Sequence, residues 1–175
     1  MERSGGSGGG EYMIHVRAGL PGDADAVTRT MLACTRDLRA VYVPITAVQC
    51  TLDGAGPTGS RLVAVDPVGT VVGVGEFVVR GASAVYVQGL AVASANRRQG
   101  VAAALLEHVA AYARKSGIPM LEVATIKETG NLDVFWRLGF RVVAESVSKR
   151  FCDVEGGNVH ELTLRRPISA RALAG

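Results

Sequence analysis

Seven stretches of the chain are rich in β-branched residues, and in several of them apolar and polar positions alternate, which predicts β-strands with one buried face. In the first stretch, Ile14 and Val16 alternate with polar neighbours. Turn sequences at residues 67–69 and 80–83 join the second, third and fourth stretches into antiparallel hairpins. The predicted strands cover residues 12–18, 61–66, 70–79, 84–92, 120–125, 140–147 and 159–164.

Elsewhere the apolar positions recur at helical spacing. Val101, Leu105 and Val109 lie on one helical face, and Gly117 and Pro119 follow them where a helix is expected to end. Helix-forming residues mixed with prolines and glycines in residues 36–60 predict a short second helix followed by a loop. The predicted helices lie at residues 23–35, within 36–60, at 100–116 and at 131–138.

The order of these elements predicts an α+β domain. Three antiparallel strands are followed by a strand, helix and strand that form a βαβ unit with a right-handed crossover. We therefore expect one mixed, mostly antiparallel sheet of about seven strands, flanked by about four helices.

The length and composition fit one domain. The chain has 175 residues, of which 48% are hydrophobic and 20% charged, an ordinary globular balance. Residues 1–11 are predicted to be a flexible Gly/Ser-rich arm, residues 12–166 a single domain and residues 167–175 a C-terminal tail.

Charge and cysteine content narrow the function further. The net charge is +3, but the basic residues are scattered, so nucleic-acid binding is not indicated. The three cysteines form neither a metal-ligand grouping nor a disulfide framework, so no metal is expected. No stretch approaches the ~20 apolar residues of a membrane span, and no signal-peptide core is present at the N-terminus. We expect a cytoplasmic protein.

The segment between the fourth strand and the long helix is the main candidate for chemistry. It reads Ala-Ser-Ala-Asn-Arg-Arg-Gln-Gly-Val-Ala-Ala-Ala over residues 93–104, so small residues follow a basic pair. A helix N-terminus exposes unpaired N–H groups and the positive end of the helix dipole, and small residues let a diphosphate approach them closely. The pattern is neither a nucleotide P-loop nor a dinucleotide fingerprint.

This segment resembles the coenzyme A signature Gln/Arg-x-x-Gly-x-Gly/Ala of GNAT acetyltransferases. The resemblance runs in order from residue 70 to residue 147 and includes the closing motif Phe135-Trp136-Arg137-Leu138-Gly139-Phe140. It implies a GNAT-like fold with a central splay between two strands, and acetyl-CoA as cosubstrate.

The resemblance also implies the residues that hold the coenzyme. Main-chain groups on the splayed strand would bond the pantetheine arm, and main-chain N–H groups at the helix start would bond the pyrophosphate. Arg97 would add positive charge, and Asn131 would bond the pantetheine arm or the thioester end. The implied coenzyme-binding residues are Leu90, Ala91, Val92, Arg97, Arg98, Gln99, Gly100, Val101, Ala102, Ala103 and Asn131.

Catalysis is where the sequence departs from the family pattern. Tyr86 stands where some members carry a glutamate base. Pairing across the turn at residues 80–83 would place Glu76 beside Tyr86 and Gln88, so Glu76 is the preferred base, directly or through water. Burial in an apolar strand would raise its pKa. Glu122 is an alternative base.

The tyrosine that often protonates the departing thiolate is absent. Phe135 and Trp136 occupy that neighbourhood, so water or Tyr86 would supply the proton. Trp136 is interpreted as a core residue or a wall of the acyl pocket. The thioester oxygen would be stabilised by the N–H of Leu90 or Ala91.

The leading interpretation is direct acetyl transfer from acetyl-CoA to a primary amine in a ternary complex. The acceptor is a small molecule or a peptide whose identity the residues do not reveal. One alternative is a GNAT-like transferase that uses a longer acyl-CoA, a carrier-protein thioester or an aminoacyl-tRNA, the only case in which nucleic acid would be a partner. Another is a non-catalytic CoA-binding domain. Exposed sheet edges suggest a homodimer.

Overall fold

The computed structural model describes residues 13–45 and 60–168, which form one eight-stranded sheet and three α-helices. The strands are β1 His15–Ala18, β2 Tyr42–Pro44, β3 Ser60–Val65, β4 Val71–Arg80, β5 Ala84–Val92, β6 Met120–Ile126, β7 Arg141–Asp153 and β8 Asn158–Pro167. The helices are α1 Ala24–Arg39, α2 Val101–Lys115 and α3 Leu132–Arg137. None of these helices combines the length and apolar character needed to cross a bilayer.

The sheet order is β1-β3-β4-β5-β6-β8-β7-β2. Neighbouring strands are antiparallel except β5 and β6, which are parallel because α2 connects them. The predicted mixed, mostly antiparallel α+β sheet is confirmed, with one strand more than expected.

The additional strand corrects the prediction of a short second helix within residues 36–60. α1 continues to Arg39, because the helix-forming residues from 36 onward simply extend its last turns. Tyr42 and Val43 then favour an extended conformation and pair with β7. Pro44 is tolerated there because β2 is an edge strand. The predicted loop and the N-terminal arm lie outside the described residues, as does the tail beyond residue 168.

The strands bury side chains on both faces of the sheet. On β3, Leu62 and Ala64 contribute to the larger core, which includes the buried face of α2 and Phe135 of α3. The intervening Val63 and Val65 form a smaller core with Val27 of α1. The period of two along β3 therefore places α1 and α2 on opposite faces of the sheet.

A glycine in β4 determines how closely α2 approaches the sheet. A Cβ atom added at Gly73 would lie 2.5 Å from Val101 Cγ1 at the start of α2. Val101 is fully buried and has a short, stiff side chain, so it has little freedom to move away. The missing side chain of Gly73 therefore allows the first turn of α2 to pack against β4.

A β-bulge in the pairing of β4 with β5 lies where β5 parts from β6. Val74 pairs with Ala91 and Glu76 with Gln88, so Gly89 and Leu90 together lie opposite Gly75. Gly89 has a φ of +59°, a conformation that favours glycine and strengthens the local bend. Pairing of β5 with β6 ends just before this point, at Val87 and Val123. The predicted central splay is therefore present, and the bulge accounts for its position.

Candidate active site

A cavity of about 390 Å³ opens where β5 and β6 part. Its floor is formed by residues 86–91 of β5 and residues 123–126 of β6. Side chains of α1, β2, α3, β7 and β8 form the walls. The splay therefore leads into a space that a small substrate can occupy, with unpaired strand edges on both sides.

The main chain of β5 offers hydrogen-bonding groups to this space. Ala93 donates its N–H to Val72 O of β4 at 2.9 Å. Because main-chain groups alternate in direction along a strand, those of Val92 and Leu90 face away from β4 and toward the splay. Leu90 and Ala91 line the cavity. The carbonyl of Val92 accepts hydrogen bonds from Cys34 Sγ and Arg97 Nε, each at 3.4 Å.

The turn before α2 has an unusual main-chain conformation. Arg98 has a φ of +62° and Gly100 a φ of +81°. The first main-chain hydrogen bond of the helix is donated by Ala104 to Gly100 O at 2.9 Å, so the N–H groups of residues 98–103 have no acceptor within the helix. We call residues 98–103 the phosphate cradle, after the pyrophosphate binding that the sequence predicts for them; free N–H groups at a left-handed turn can form an anion-binding concavity.

Arg97 lies beside the phosphate cradle but contacts α1. Its Nη2 forms an ion pair with Asp37 Oδ2 at 2.5 Å and lies 3.9 Å from Cys34 Sγ. The hydrogen bond from Arg97 to Asp37 raises the pKa of the guanidinium. Gln99 folds back and donates Nε2 to Ala95 O at 3.0 Å. Both side chains therefore hold the turn in place.

The start of α3 closes the other side of the cavity. Asn131 is the N-cap residue of α3 and lines the cavity, as does Phe135. Trp136 was expected in the core or the pocket wall, and this is wrong: 52% of it is exposed. Phe135 packs edge-on against Phe140 with ring centroids 5.7 Å apart. The next residue on a helix points about 100° away, so Trp136 projects outward.

The two predicted catalytic residues are placed differently. Tyr86 lines the cavity, and the guanidinium of Arg80 stacks 3.6 Å from its ring centroid. Glu76 pairs in register with Gln88, as predicted, whereas Tyr86 pairs with Val78. The carboxylate of Glu76 accepts hydrogen bonds from Arg61 of β3 and does not line the cavity. Gln88, which pairs with Glu76, does line the cavity.

The comparison with known families agrees with this arrangement. The acetyltransferase (GNAT) family model matches residues 32–140, which is more than half of the chain. The chain belongs to the GNAT family of acetyltransferases. The matched region contains the splay, the phosphate cradle and the start of α3. A search of curated proteins found no match.

Solved structures of GNAT enzymes share this fold. A GCN5-related N-acetyltransferase from Kribbella flavida is 25% identical, with a TM-score of 0.68 over 88% of this chain and 97% of that chain. The ribosomal-protein-S18-alanine N-acetyltransferase from Escherichia coli is 16% identical, with a TM-score of 0.65 over 93% of this chain and 99% of that chain.

A third GNAT structure contains the coenzyme. An aminoglycoside 6'-N-acetyltransferase complexed with coenzyme A is 13% identical, with a TM-score of 0.66 over 90% of this chain and 98% of that chain. At these identities the second and third comparisons show a shared fold. Their acceptors, an alanine of a ribosomal protein and an aminoglycoside, differ from each other.

Glu122, the alternative base, is held in ion pairs in this GNAT domain. Its carboxylate is bonded by Arg80 at 3.1 Å and by Arg165 at 2.8 Å, and it is almost fully buried. Glu122 pairs in register with Tyr86 across the parallel strands, but it does not line the cavity. This arrangement is typical of a structural ion-pair network, with both carboxylate oxygens engaged.

Two charged residues that line the cavity were missed by the sequence analysis. Arg150 of β7 and Glu161 of β8 form an ion pair at 2.9 Å in the cavity wall. The hydrogen bond from Arg150 lowers the pKa of Glu161, and the same bond raises the pKa of Arg150. Of the residues that line the cavity in the described part of the chain, Glu161 is the only carboxylate.

Proposed function

We propose that this GNAT domain transfers an acetyl group from acetyl-CoA to a primary amine, directly and in a ternary complex. The observation that carries the proposal is the phosphate cradle at the start of α2, beside a splayed strand whose main-chain groups face a cavity. A diphosphate suits the cradle, and a pantetheine arm suits the unpaired edge of β5, because both ligands need close approach to main-chain N–H and C=O groups.

Residues of β5 are placed to stabilise the charges that develop during acyl transfer. In this reaction the amine nitrogen bonds to the acetyl carbon, the carbon–sulfur bond breaks, and the thiolate takes up a proton. The N–H of Leu90 faces the splay, where it would stabilise the thioester oxygen as it becomes negative. Tyr86 lies in the cavity wall with a hydroxyl that can supply a proton, directly or through water.

Proton removal from the amine is proposed to run through water along Gln88 to Glu76. Gln88 lines the cavity and pairs in register with Glu76 across β4 and β5. Arg61 keeps the Glu76 carboxylate fixed at that position. The relay therefore needs ordered water between the amine and β4, and it makes Glu76 the terminal proton acceptor rather than a group in contact with the amine.

Two measurements test the proposed function. CoA and acetyl-CoA should raise the thermal unfolding temperature, because a ligand that binds only the folded state stabilises it by about 2.7 kcal/mol at a hundred times its dissociation constant. Free thiol should then be released from acetyl-CoA when a panel of primary amines is added. Stabilisation without thiol release for any amine would favour a CoA-binding domain, and release only with longer acyl-CoA esters would favour another donor.

We also propose a cytoplasmic location. Cys34 and Cys152, the two cysteines in the described residues, are free thiols. Free thiols persist where the cell keeps cysteines reduced. Fractionation of cells that express the tagged protein tests this location.

A further inference from the structure

An irregular segment of β7 forms part of the cavity wall. Regular pairing of β7 with β8 is interrupted between Val147 and Cys152. The buried side chain of Ser148 holds this segment: its Oγ accepts the N–H groups of Arg150 at 3.1 Å and Phe151 at 3.0 Å, and donates to Glu161 Oε1 at 2.6 Å. The interruption is therefore a fixed feature that directs Arg150 and Phe151 to the cavity.

The ion pair in this wall has unused donors rather than unused acceptors. Arg150 donates Nε to Glu161 Oε1 at 3.3 Å and Nη2 to Glu161 Oε2 at 2.9 Å. Together with the Ser148 bond, these contacts engage both oxygens of Glu161. Among the described residues, Arg150 Nη1 makes no hydrogen bond, although a guanidinium carries five N–H donors. The Arg150 side chain is 68% exposed and that of Glu161 only 25%.

Arginine side chains lie over the rings of the aromatic residues near Arg150. Arg39 lies 5.8 Å from the ring centroid of Tyr42, and Arg80 lies 3.6 Å from that of Tyr86. Arg150 lies 5.3 Å from the ring centroid of Phe151. Tyr42, Tyr86 and Phe151 all line the cavity. Arg39 and Arg80 do not themselves line the cavity, and Arg80 is paired with Glu122. Arg150 is therefore the one cation among the described residues that line the cavity.

We propose that the acceptor is an amine that also bears a compact oxyanion, in the first instance a carboxylate, and that Arg150 binds this group. The inference rests on the proposed function. Nη1 and the remaining Nη2 hydrogen of Arg150 donate to the anion, while Glu161 holds the guanidinium in place. The amine then points toward Leu90 and the splay. Small α-amino acids have this chemistry, and aminoalkylphosphonates are the second source of a compact oxyanion.

The test compares acceptors that differ only in the anion. Each α-amino acid is paired with the amine that results from its decarboxylation, for example alanine with ethylamine, and aminoalkylphosphonates form a third arm. Thiol release from acetyl-CoA gives kcat/KM for each acceptor. A charge-assisted hydrogen bond pair should favour the anionic member by roughly ten- to a hundredfold. A preference for the phosphonate over the carboxylate would identify the second source.

Variants test whether Arg150 causes the preference for the anionic acceptor. Arg150→Gln should abolish the preference for the anionic member. Arg150→Lys should retain part of the preference, because lysine keeps the positive charge but lacks the paired N–H donors of the guanidinium. Lys149→Gln removes the same charge from the neighbouring exposed residue and should leave the preference unchanged. Equal kcat/KM for both members of every pair, or an unchanged preference in Arg150→Gln, would overturn the inference.

A binding measurement separates this inference from the proposed function. Calorimetric titration of the CoA-saturated protein with the amino acids should give affinities that Arg150→Gln weakens by a similar factor and Lys149→Gln does not. Such binding without any thiol release would contradict acetyl transfer and support the anion site. Turnover of the decarboxylated amines alone, with no binding of an amino acid, would support acetyl transfer and refute the anion site.

Discussion

Residues with a positive φ shape both parts of the candidate site. Gly89 bends β5 away from β6, and Arg98 and Gly100 turn the chain into α2. For a residue with a side chain, the left-handed conformation is unfavourable by about 1–2 kcal/mol. Arg98 carries this strain within the phosphate cradle. Strained backbone clusters at functional sites.

Substitution at Gly100 tests the phosphate cradle. Gly100→Glu places a carboxylate at the cradle, and we expect CoA binding to be lost because the charge repels a diphosphate. Gly117→Glu is the matched control: Gly117 also has a positive φ and open space around its Cα, but it follows the far end of α2. The two variants should lose similar stability, and only Gly117→Glu should bind CoA in a calorimetric titration. Equal affinity in both would place the anion site elsewhere.

Substitution at Glu76 tests the proposed proton relay. Glu76→Gln keeps the shape but removes the proton acceptor, so turnover should fall by about 10²–10⁴ while CoA binding is unchanged. Glu145→Gln makes the same change at an exposed strand carboxylate, which is paired with Lys127, and should retain wild-type turnover. If both variants have equal turnover, the only role of Glu76 is its ion pair with Arg61, and the proton leaves through water near Tyr86 and Gln88.

At the scale of elements, the close contact between β4 and α2 links stability to coenzyme binding. Gly73→Ala forces Val101 to move, so we expect a loss of about 1–3 kcal/mol in the free energy of unfolding together with weaker CoA binding. Gly75→Ala is the control, because the nearest atom to its added Cβ lies at 3.6 Å. Urea unfolding and CoA titration of both variants give the comparison. Equal effects at the two glycines would rule out this link.

The start of α1 is held to β1 by an ion pair whose contribution depends on pH. Asp23 accepts hydrogen bonds from Arg17 at 2.7 and 3.0 Å and from the Leu20 N–H at 2.8 Å, which lower its pKa to about 2. A carboxyl with a lowered folded-state pKa stabilises the fold above its unfolded pKa of about 3.9, and that stabilisation is lost as pH falls toward 2.

The lowered pKa of Asp23 gives a testable pH dependence of stability. Asp23→Asn should be less stable than the wild type at pH 7, and the gap between their urea midpoints should narrow as pH falls below about 4. Asp25→Asn, at an exposed position in the first turn of α1, is the control and should show a smaller gap. A gap for Asp23→Asn that is independent of pH would show that its carboxylate charge contributes nothing.

The elements that sequence reasoning located are those with long, regular patterns. β3, β4, β5 and α2 lie within one or two residues of the predicted bounds, because their periods of two and 3.6 persist over several residues. β2 was missed because three residues are too few to show an alternation of apolar and polar positions, and its partner lies more than a hundred residues away. The turn before α2 was predictable because it depends on local sequence.

The cavity wall was less predictable because it depends on irregular pairing. The interruption between Val147 and Cys152 shifts the register of the β7–β8 hairpin, so counting from the turn does not bring Arg150 and Glu161 together. Arg61 and Glu76 lie opposite each other in the hairpin of β3 and β4 only because the register shifts between Ala64 and Val65; counting from the turn would place Gly75 opposite Arg61. Glu76 was expected to be buried because the prediction considered only its own apolar strand and not the neighbouring Arg61 of β3.

At the scale of the whole molecule, the open sheet predicts association. β1 and β2 are the edge strands, and Pro44 removes a donor from the β2 edge. Among the described strands none pairs with the outer edge of β1, so we expect a homodimer that pairs there. Light scattering during gel filtration should give twice the chain mass, and a monomeric mass at micromolar concentration would contradict this expectation.

The position of β2 at the far edge of the sheet has a consequence for the order of folding. β2 pairs with residues 151–153, so about 110 residues of chain separate the two partners. Such distant pairing closes a large loop and forms slowly. During synthesis, Tyr42 leaves the ribosome long before β7 exists, and the wall it shares with Phe151 forms only after nearly the whole domain has been made. The residues of the phosphate cradle and of the splay all precede the end of β6, so they leave the ribosome before the residues of β7 and β8 that complete the cavity wall.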